Sequence, residues 1–352
     1  MMYDLFAAHP FRAEDSRDAV AWGQQFDAAT RVRLLAAARA EDQGTAIMQT
    51  ARRLYQGLVS PRAQGASRPE LTRGMRERMS ELGLWAPSQP DLAALHRFSA
   101  FLRVTFTLAR PYLSGDDAPF HINDNPIRKE KVFKTPMVPA SAWKGNLRWT
   151  STRLLEEEWH REMDVRRLAE GRLRLTLLFG DEKGDGADQP KGLARYLGDL
   201  SREADAIYRE LLRERFPSAA ADLPHHEGRL RFFPTFFDSV ALEVINPHDR
   251  RTRAGRRPIY FESVPKGSQG IFSLLYVPFG RVRVEDAASD LQCAAAAISA
   301  MMLTYGFSAK KSSGFGEAEP RLTEGSIRST AGEWPIRTLD RLVEEVSCVC
   351  WS

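Results

Sequence analysis

Residues 286–305 constrain this chain more than any other stretch. They are mostly Ala, Leu, Ile and Met, with no charge after Asp290. Read as a helix, the segment is apolar nearly all round, and such a helix is stable only when it is covered on several sides. Gly306 follows it, in the place where glycine commonly closes a helix. Strand material for the cover lies elsewhere in the chain. Phe98, Phe101, Val104, Phe106 and Leu108 sit in a run rich in aromatic and β-branched residues, which favours an extended strand. Further strands are predicted at 173–179, 229–237, 241–245 and 271–284. A second helix is predicted from Ser141 to about Met163, where Trp143, Leu147, Leu154, Leu155 and Trp159 recur at helical spacing. Ser141, just after Pro139, is its expected N-cap. Strand, helix, strands, helix, strand is the order of a ferredoxin-like α+β fold.

Upstream the texture differs. Residues 13–84 are rich in Ala, Arg, Glu and Leu, and Val32, Leu35, Ala36, Ile47, Ala51 and Leu54 fall on recurring faces, so several short helices are expected. Pro61 and Gly65 place a loop at 60–67, and a second break runs from Pro87 to Pro90. The chain thus divides into a helical N-terminal region (1–95), an α+β core (96–330) and a C-terminal tail (331–352). Long exposed loops are expected at 180–189 and 246–257, which carry Gly, Asp, Pro and Arg without periodicity. The three cysteines, Cys293, Cys348 and Cys350, are too few and too poorly spaced for a disulfide framework or a four-ligand zinc site. No run approaches the ~20 apolar residues of a membrane span, and residues 1–12 lack a signal pattern. A soluble cytoplasmic protein without a membrane partner is expected.

Net charge is only +4, but Lys and Arg number 50, and for a polyanion their clustering is what counts. Four clusters carry chemistry. The first is a Gly/Asp/Asn-rich stretch, Ser114 to Asp117 and Asn123 to Pro126, in which Asp124 could hold a divalent metal or take a proton; Asp-Asn-Pro is also ordinary turn chemistry. The second adds Arg128, Lys129, Lys131 and Lys134, then Lys144 and Arg148, four apart on one helical face beside a free helix N-terminus. That is an anion site or a plain solvated face. The third packs Arg250, Arg251, Arg253, Arg256 and Arg257 into nine positions near Tyr260 and Phe261, whose rings could stack on bases. The fourth, Lys310, Lys311, Ser312, Ser313, Gly314, Phe315 and Gly316, could fold its amides into an anion nest or simply turn the chain. For the third cluster nucleic acid is the economical partner, and phosphates would suit the second.

Together these pieces resemble the RAMP superfamily of CRISPR-associated proteins. Asp124-Asn125-Pro126 looks like the D-x-P turn of type III backbone subunits. Pro139-Ala140-Ser141 with Lys144, Gly145 and Arg148 looks like their P-[GA]-S-x-x-K-G-x-x-R helix start, and 310–316 like their glycine-rich loop. Ala140 replaces the usual glycine and Trp143 a usual leucine. Phe232-Phe233-Pro234, Asn246-Pro247-His248 and 258–265 are similar to a related capping subunit. The resemblance runs from about Phe98 to Leu322.

It implies a ferredoxin-like, RRM-related RAMP core with long loop insertions, preceded by a helical region. It also implies partnership with CRISPR guide RNA, target RNA and other effector subunits. On this reading Asp124 is the catalytic and metal-binding residue for target-RNA cleavage with Mg or Mn. Arg128, Lys131, Lys134, Ser141, Lys144, Arg148, the five loop arginines and 310–316 meet RNA. Two alternatives stand beside it: a non-catalytic capping subunit, and a processing endonuclease for precursor CRISPR RNA. For the latter, His121, His225, His226 and His248 form no evident acid-base set.

Overall fold

The computed structural model describes residues 73–116, 125–181, 192–216, 226–245 and 259–351. Helix α1, Arg73–Glu81, opens it. The rest of the helical region predicted before residue 73, its 60–67 break included, lies outside the described residues. The break from Pro87 to Pro90 is irregular backbone.

Strand β1, Ala100–Thr107, falls inside the predicted aromatic run. Ala100, Leu102, Val104 and Phe106 face the main core, while Phe101 turns to the other side and meets Phe233 edge-on. The short β2, Met137–Val138, leads into α2, Ala140–Glu162. Ser141 does not cap α2. Pro139 holds that position, its carbonyl accepting the N–H groups of Ala142 and Trp143, and Ser141 stands exposed in the first turn.

The strand predicted at 173–179 is instead the second half of a helix, α3, Val165–Phe179. Its Leu, Thr and Phe residues suit a strand equally well over seven positions, so periodicity over the longer window decides. Leu168, Arg172, Leu175 and Phe179 share a buried face, and the Asp164 carboxylate caps the start by accepting the Arg167 N–H. Helices α4, Gly192–Leu200, and α5, Arg202–Arg215, follow.

The predicted strand at 229–237 breaks at Pro234 into β3, Leu230–Phe232, and β4, Thr235–Phe236, the latter paired with β2. Strands β5, Ala241–Ile245, and β6, Ile259–Ser263, form an antiparallel pair. Strand β7, Gln269–Tyr276, stops short of the predicted 284 because Pro278 and Gly280 (φ +70°) turn the chain.

The apolar segment forms α6, Val284–Ala300, continued by a π turn, Met301–Tyr305. Among the described residues Val284–Tyr305 is the one helix long and apolar enough to cross a membrane, which corrects the expectation that no segment reaches that length. Its apolar side is nevertheless occupied within the protein. Ala287, Leu291, Ala294, Ile298 and Met302 are buried in the main core. Strands β8, Glu324–Ser329, and β9, Gly332–Pro335, and helix α7, Leu342–Ser347, complete the chain. Residues 331–351 are therefore no tail: β9 extends the sheet, and Leu342, Val346 and Val349 join the core.

The main sheet runs β3-β7-β1-β8-β9, antiparallel throughout. Within it, β1-α2-β3-β7-α6-β8 is the double βαβ of the ferredoxin-like fold. Helices α3 to α5 are inserted before β3, and β4 to β6 before β7. Trp143 on α2 is fully buried and locks this core. It meets Phe106 and Phe272 edge-on and lies against Phe307, and its indole N–H donates to Thr235 Oγ1 at 3.0 Å. An indole at this position therefore has both the volume and the partner it needs.

Candidate nucleic-acid interface

Three separate segments converge around the start of α2. The chain leaving β1 passes through Tyr112, which exchanges backbone hydrogen bonds with Val264. Leu113 donates to Ser308 Oγ at 2.7 Å, and the same hydroxyl donates back to its carbonyl at 2.8 Å. The Asp116 N–H donates to the Pro126 carbonyl. Asp124 lies outside the described residues. Its chain neighbour Asn125 is held firmly: its side-chain amide donates to the Tyr260 carbonyl at 3.1 Å, and its own carbonyl accepts from the Glu262 N–H.

The basic residues that follow divide into two kinds. Arg128, Lys131 and Lys134 are exposed. Lys134 takes a left-handed conformation (φ +55°), and the Glu130 carboxylate clamps the turn by accepting the N–H groups of Val132 and Phe133. Lys129, by contrast, points inward. Its Nζ lies 2.6 Å from Glu262 Oε2, which also accepts the Ile127 N–H at 3.0 Å. Burial pushes the lysine down and the glutamic acid up, each toward its neutral form, while their direct contact favours the charged pair. Lys129 is thus spent on structure.

Lys144 and Arg148 lie on one side of α2 and are joined electrostatically by Arg231 of β3, which the sequence reading missed. Partial burial lowers the Lys144 pKa, the like charges of Arg148 and Arg231 lower it further, and Glu227 opposes them. Arg148 Nη1 reaches the Asp181 carbonyl only at 3.5 Å, whereas Arg231 pairs with Glu227 at 3.1 Å.

The glycine-rich segment docks beside them. Lys310 is left-handed (φ +59°) and places its ammonium 4.9 Å from the centre of the Phe261 ring, so that ring is engaged on one side. Lys311 donates to Asn146 Oδ1 at 2.7 Å and sits 4.4 Å over the Trp149 ring. Ser312 and Ser313 are exposed. Three amides of the segment are used within the fold, as in the turn that is the alternative to an anion nest. The Ser313, Gly314 and Gly316 N–H groups donate to the Lys310, Lys311 and Pro111 carbonyls, because residues 311–313 close a 3-10 turn. Gly314 and Gly316 have φ of +75° and +74°, and a Cβ on Gly316 would fall 2.3 Å from the Ser308 Cβ, so only glycine fits there. Phe315 is half-buried between them.

Arg250, Arg251, Arg253, Arg256 and Arg257, with His121, His225 and His248, lie outside the described residues. His226 is described and packs on Phe216 at 4.6 Å, and burial lowers its pKa. Among the described residues no three His, Cys, Asp or Glu side chains come together as a metal site.

A family model described as "RAMP superfamily" matches residues 105–319. Among solved structures, a chain of a type III-B Cmr-beta complex bound to cognate target RNA is similar at 14% identity and TM-score 0.42. The match covers 82% of this chain and 78% of that one. The Methanopyrus kandleri Csm3 crystal structure is similar at 17% identity and TM-score 0.41, covering 72% of this chain and 98% of that one. No curated protein matches.

Proposed function

The chain belongs to the RAMP superfamily, whose model spans more than half its length, and from that premise we propose that it is an RNA-binding subunit of a type III CRISPR effector complex. It holds guide RNA by the phosphates, in the cytoplasm, with target RNA and neighbouring subunits as its other partners. One observation carries this reading. Lys144 and Arg148, one turn apart on α2, are joined by Arg231 from β3, far away in the sequence; partial burial lowers the Lys144 pKa, these two like charges lower it further, and Glu227 is the opposing acid. Cations held together against their mutual repulsion are suited to a polyanion. Exposed Ser141, Lys310, Ser312 and Ser313 border the same helix start and loop. Base pairing between guide and target, rather than side chains in a groove, reads sequence on this proposal.

Cleavage of the bound target is the second part of the proposal and rests on Asp124, in the D-x-P position of the motif. A divalent ion, Mg or Mn, would supply Lewis acidity to the transferring phosphate there.

The test of binding is a titration with unrelated RNA sequences over a salt series. Affinity should fall linearly on a log–log plot and hardly vary with sequence. An affinity without salt slope, or one tied to a single sequence, overturns the reading. Binding without cleavage of complementary RNA would leave the structural capping role.

A further inference from the structure

Asn146 belongs to none of the motif positions, yet three contacts meet on its side chain. Its Oδ1 accepts from Lys311 Nζ at 2.7 Å, and its Nδ2 donates to the Phe307 carbonyl at 3.2 Å and to the Ala142 carbonyl at 3.0 Å. With an ammonium on one side and two carbonyls on the other, the amide has only one orientation that satisfies every partner. The side chain therefore ties the first turns of α2 to both ends of segment 307–311. Trp149, one turn further on, supports the lysine from below, and its ring meets Tyr305 of the π turn edge-on at 5.3 Å. The segment so held is conformationally unusual: Gly306, Lys310, Gly314 and Gly316 all have positive φ. For Lys310, a residue with a Cβ, that conformation persists only where the surroundings impose it.

We propose that Asn146 and Trp149 are positioning residues that latch the glycine-rich loop to the start of α2 through Lys311, so that Lys311 fixes the loop instead of neutralising an RNA phosphate. Lys311 has its ammonium bonded to an amide oxygen and covered by an indole face, which leaves it poorly placed for a phosphate. The exposed Lys310, Ser312 and Ser313 are then presented in one fixed relation to Lys144 and Arg148. The inference rests on the RNA-binding reading and makes a claim that binding alone does not.

The experiment has two arms on the full chain. In the first, RNA affinity over a salt series is compared for wild type, Asn146→Ala, Trp149→Leu, Lys311→Met and Lys144→Met. The three latch variants should lose about tenfold affinity at one salt concentration, on the order of one hydrogen bond to a charged group, with an unchanged salt slope. Lys144→Met should flatten the slope by about 0.7, the value of one phosphate contact on a single strand. In the second arm, without RNA, amide hydrogen exchange is followed across residues 307–316, where Asn146→Ala should speed exchange at Ser313, Gly314 and Gly316. Flattening of the slope by Lys311→Met, or unchanged exchange in Asn146→Ala, overturns the latch. Failure of the wild type to bind RNA would sink the functional reading, and the exchange arm would still decide the latch.

Discussion

Lys129 and Lys144 belong to one basic stretch of sequence, and the fold gives them opposite surroundings. Lys129 meets Glu262 at 2.6 Å inside the protein, where the pair joins segment 125–129 to β6. Lys144 stands exposed on α2, with Arg148 and Arg231 as like-charged neighbours. A run of cations is therefore not by itself a footprint. Tertiary contacts hand one of these cations a buried carboxylate and the other two further cations.

The sharpest way to break this comparison is to remove one partner of the buried pair. Lys129→Met takes away the direct counter-ion of Glu262 and should destabilise the fold by about 3–5 kcal/mol, read from urea denaturation. The double variant Lys129→Met/Glu262→Gln keeps an acceptor for the Ile127 N–H without a buried charge, and should recover most of that loss. An unaffected single variant would show that the pair contributes little.

Asp124→Ala should leave RNA binding intact and slow target cleavage by a hundredfold or more, on the order of 2.7 kcal/mol of transition-state stabilisation. The readout is single-turnover cleavage of complementary RNA with Mg or Mn in assembled complexes, and equal rates would remove Asp124 from the mechanism.

A third test uses pH. In the wild type burial lowers the Lys129 pKa from 10.5 to about 7, with Asp116 opposing the shift, and Glu262→Gln removes the carboxylate that Lys129 contacts. Between those values the unfolded chain binds the extra proton, so the variant should gain stability as pH rises from about 7 to 10.5. The wild type, whose pair can share one proton, should respond less. Denaturation midpoints across that range decide it, and a flat variant profile would mean Lys129 is not desolvated.

The smallest expected effects sharpen the exposed side of the comparison. Arg128→Met and Lys131→Met, exposed on the loop, should each weaken RNA binding by no more than about threefold, consistent with screened surface charges. Losses as large as that of Lys144→Met would move the footprint toward the loop.

Much of the fold was legible from local pattern. The β1 run and the α6 segment are long enough for their composition to decide their state, and the recurrence of Trp143, Leu147 and Leu155 marked α2. Residues 173–179 misled because a seven-residue Leu-rich run fits strand and helix alike, and the deciding cap, Asp164, lies nine residues upstream of it. Ser141 misled because Pro139 already occupies the cap position. At the site, glycines and cations were visible as types. Asn146 and Arg231 were not, since a single polar residue in a helix or strand gives no local sign of what it will touch.

Local pattern thus supplies the repertoire: two helices with apolar faces, strands to cover them, a glycine-rich turn and a surplus of clustered cations. Each follows from short-range properties, namely side-chain periodicity, backbone freedom and charge density. The partner of each cation comes from long-range packing. Lys129 is separated from Glu262 by 133 residues and Lys311 from Asn146 by 165. Such pairings depend on strand order and helix packing, which bring distant carboxylates, amides and rings to particular cations. Electrostatic energy depends on distance and burial in space, and neither quantity is written in spacing along the chain.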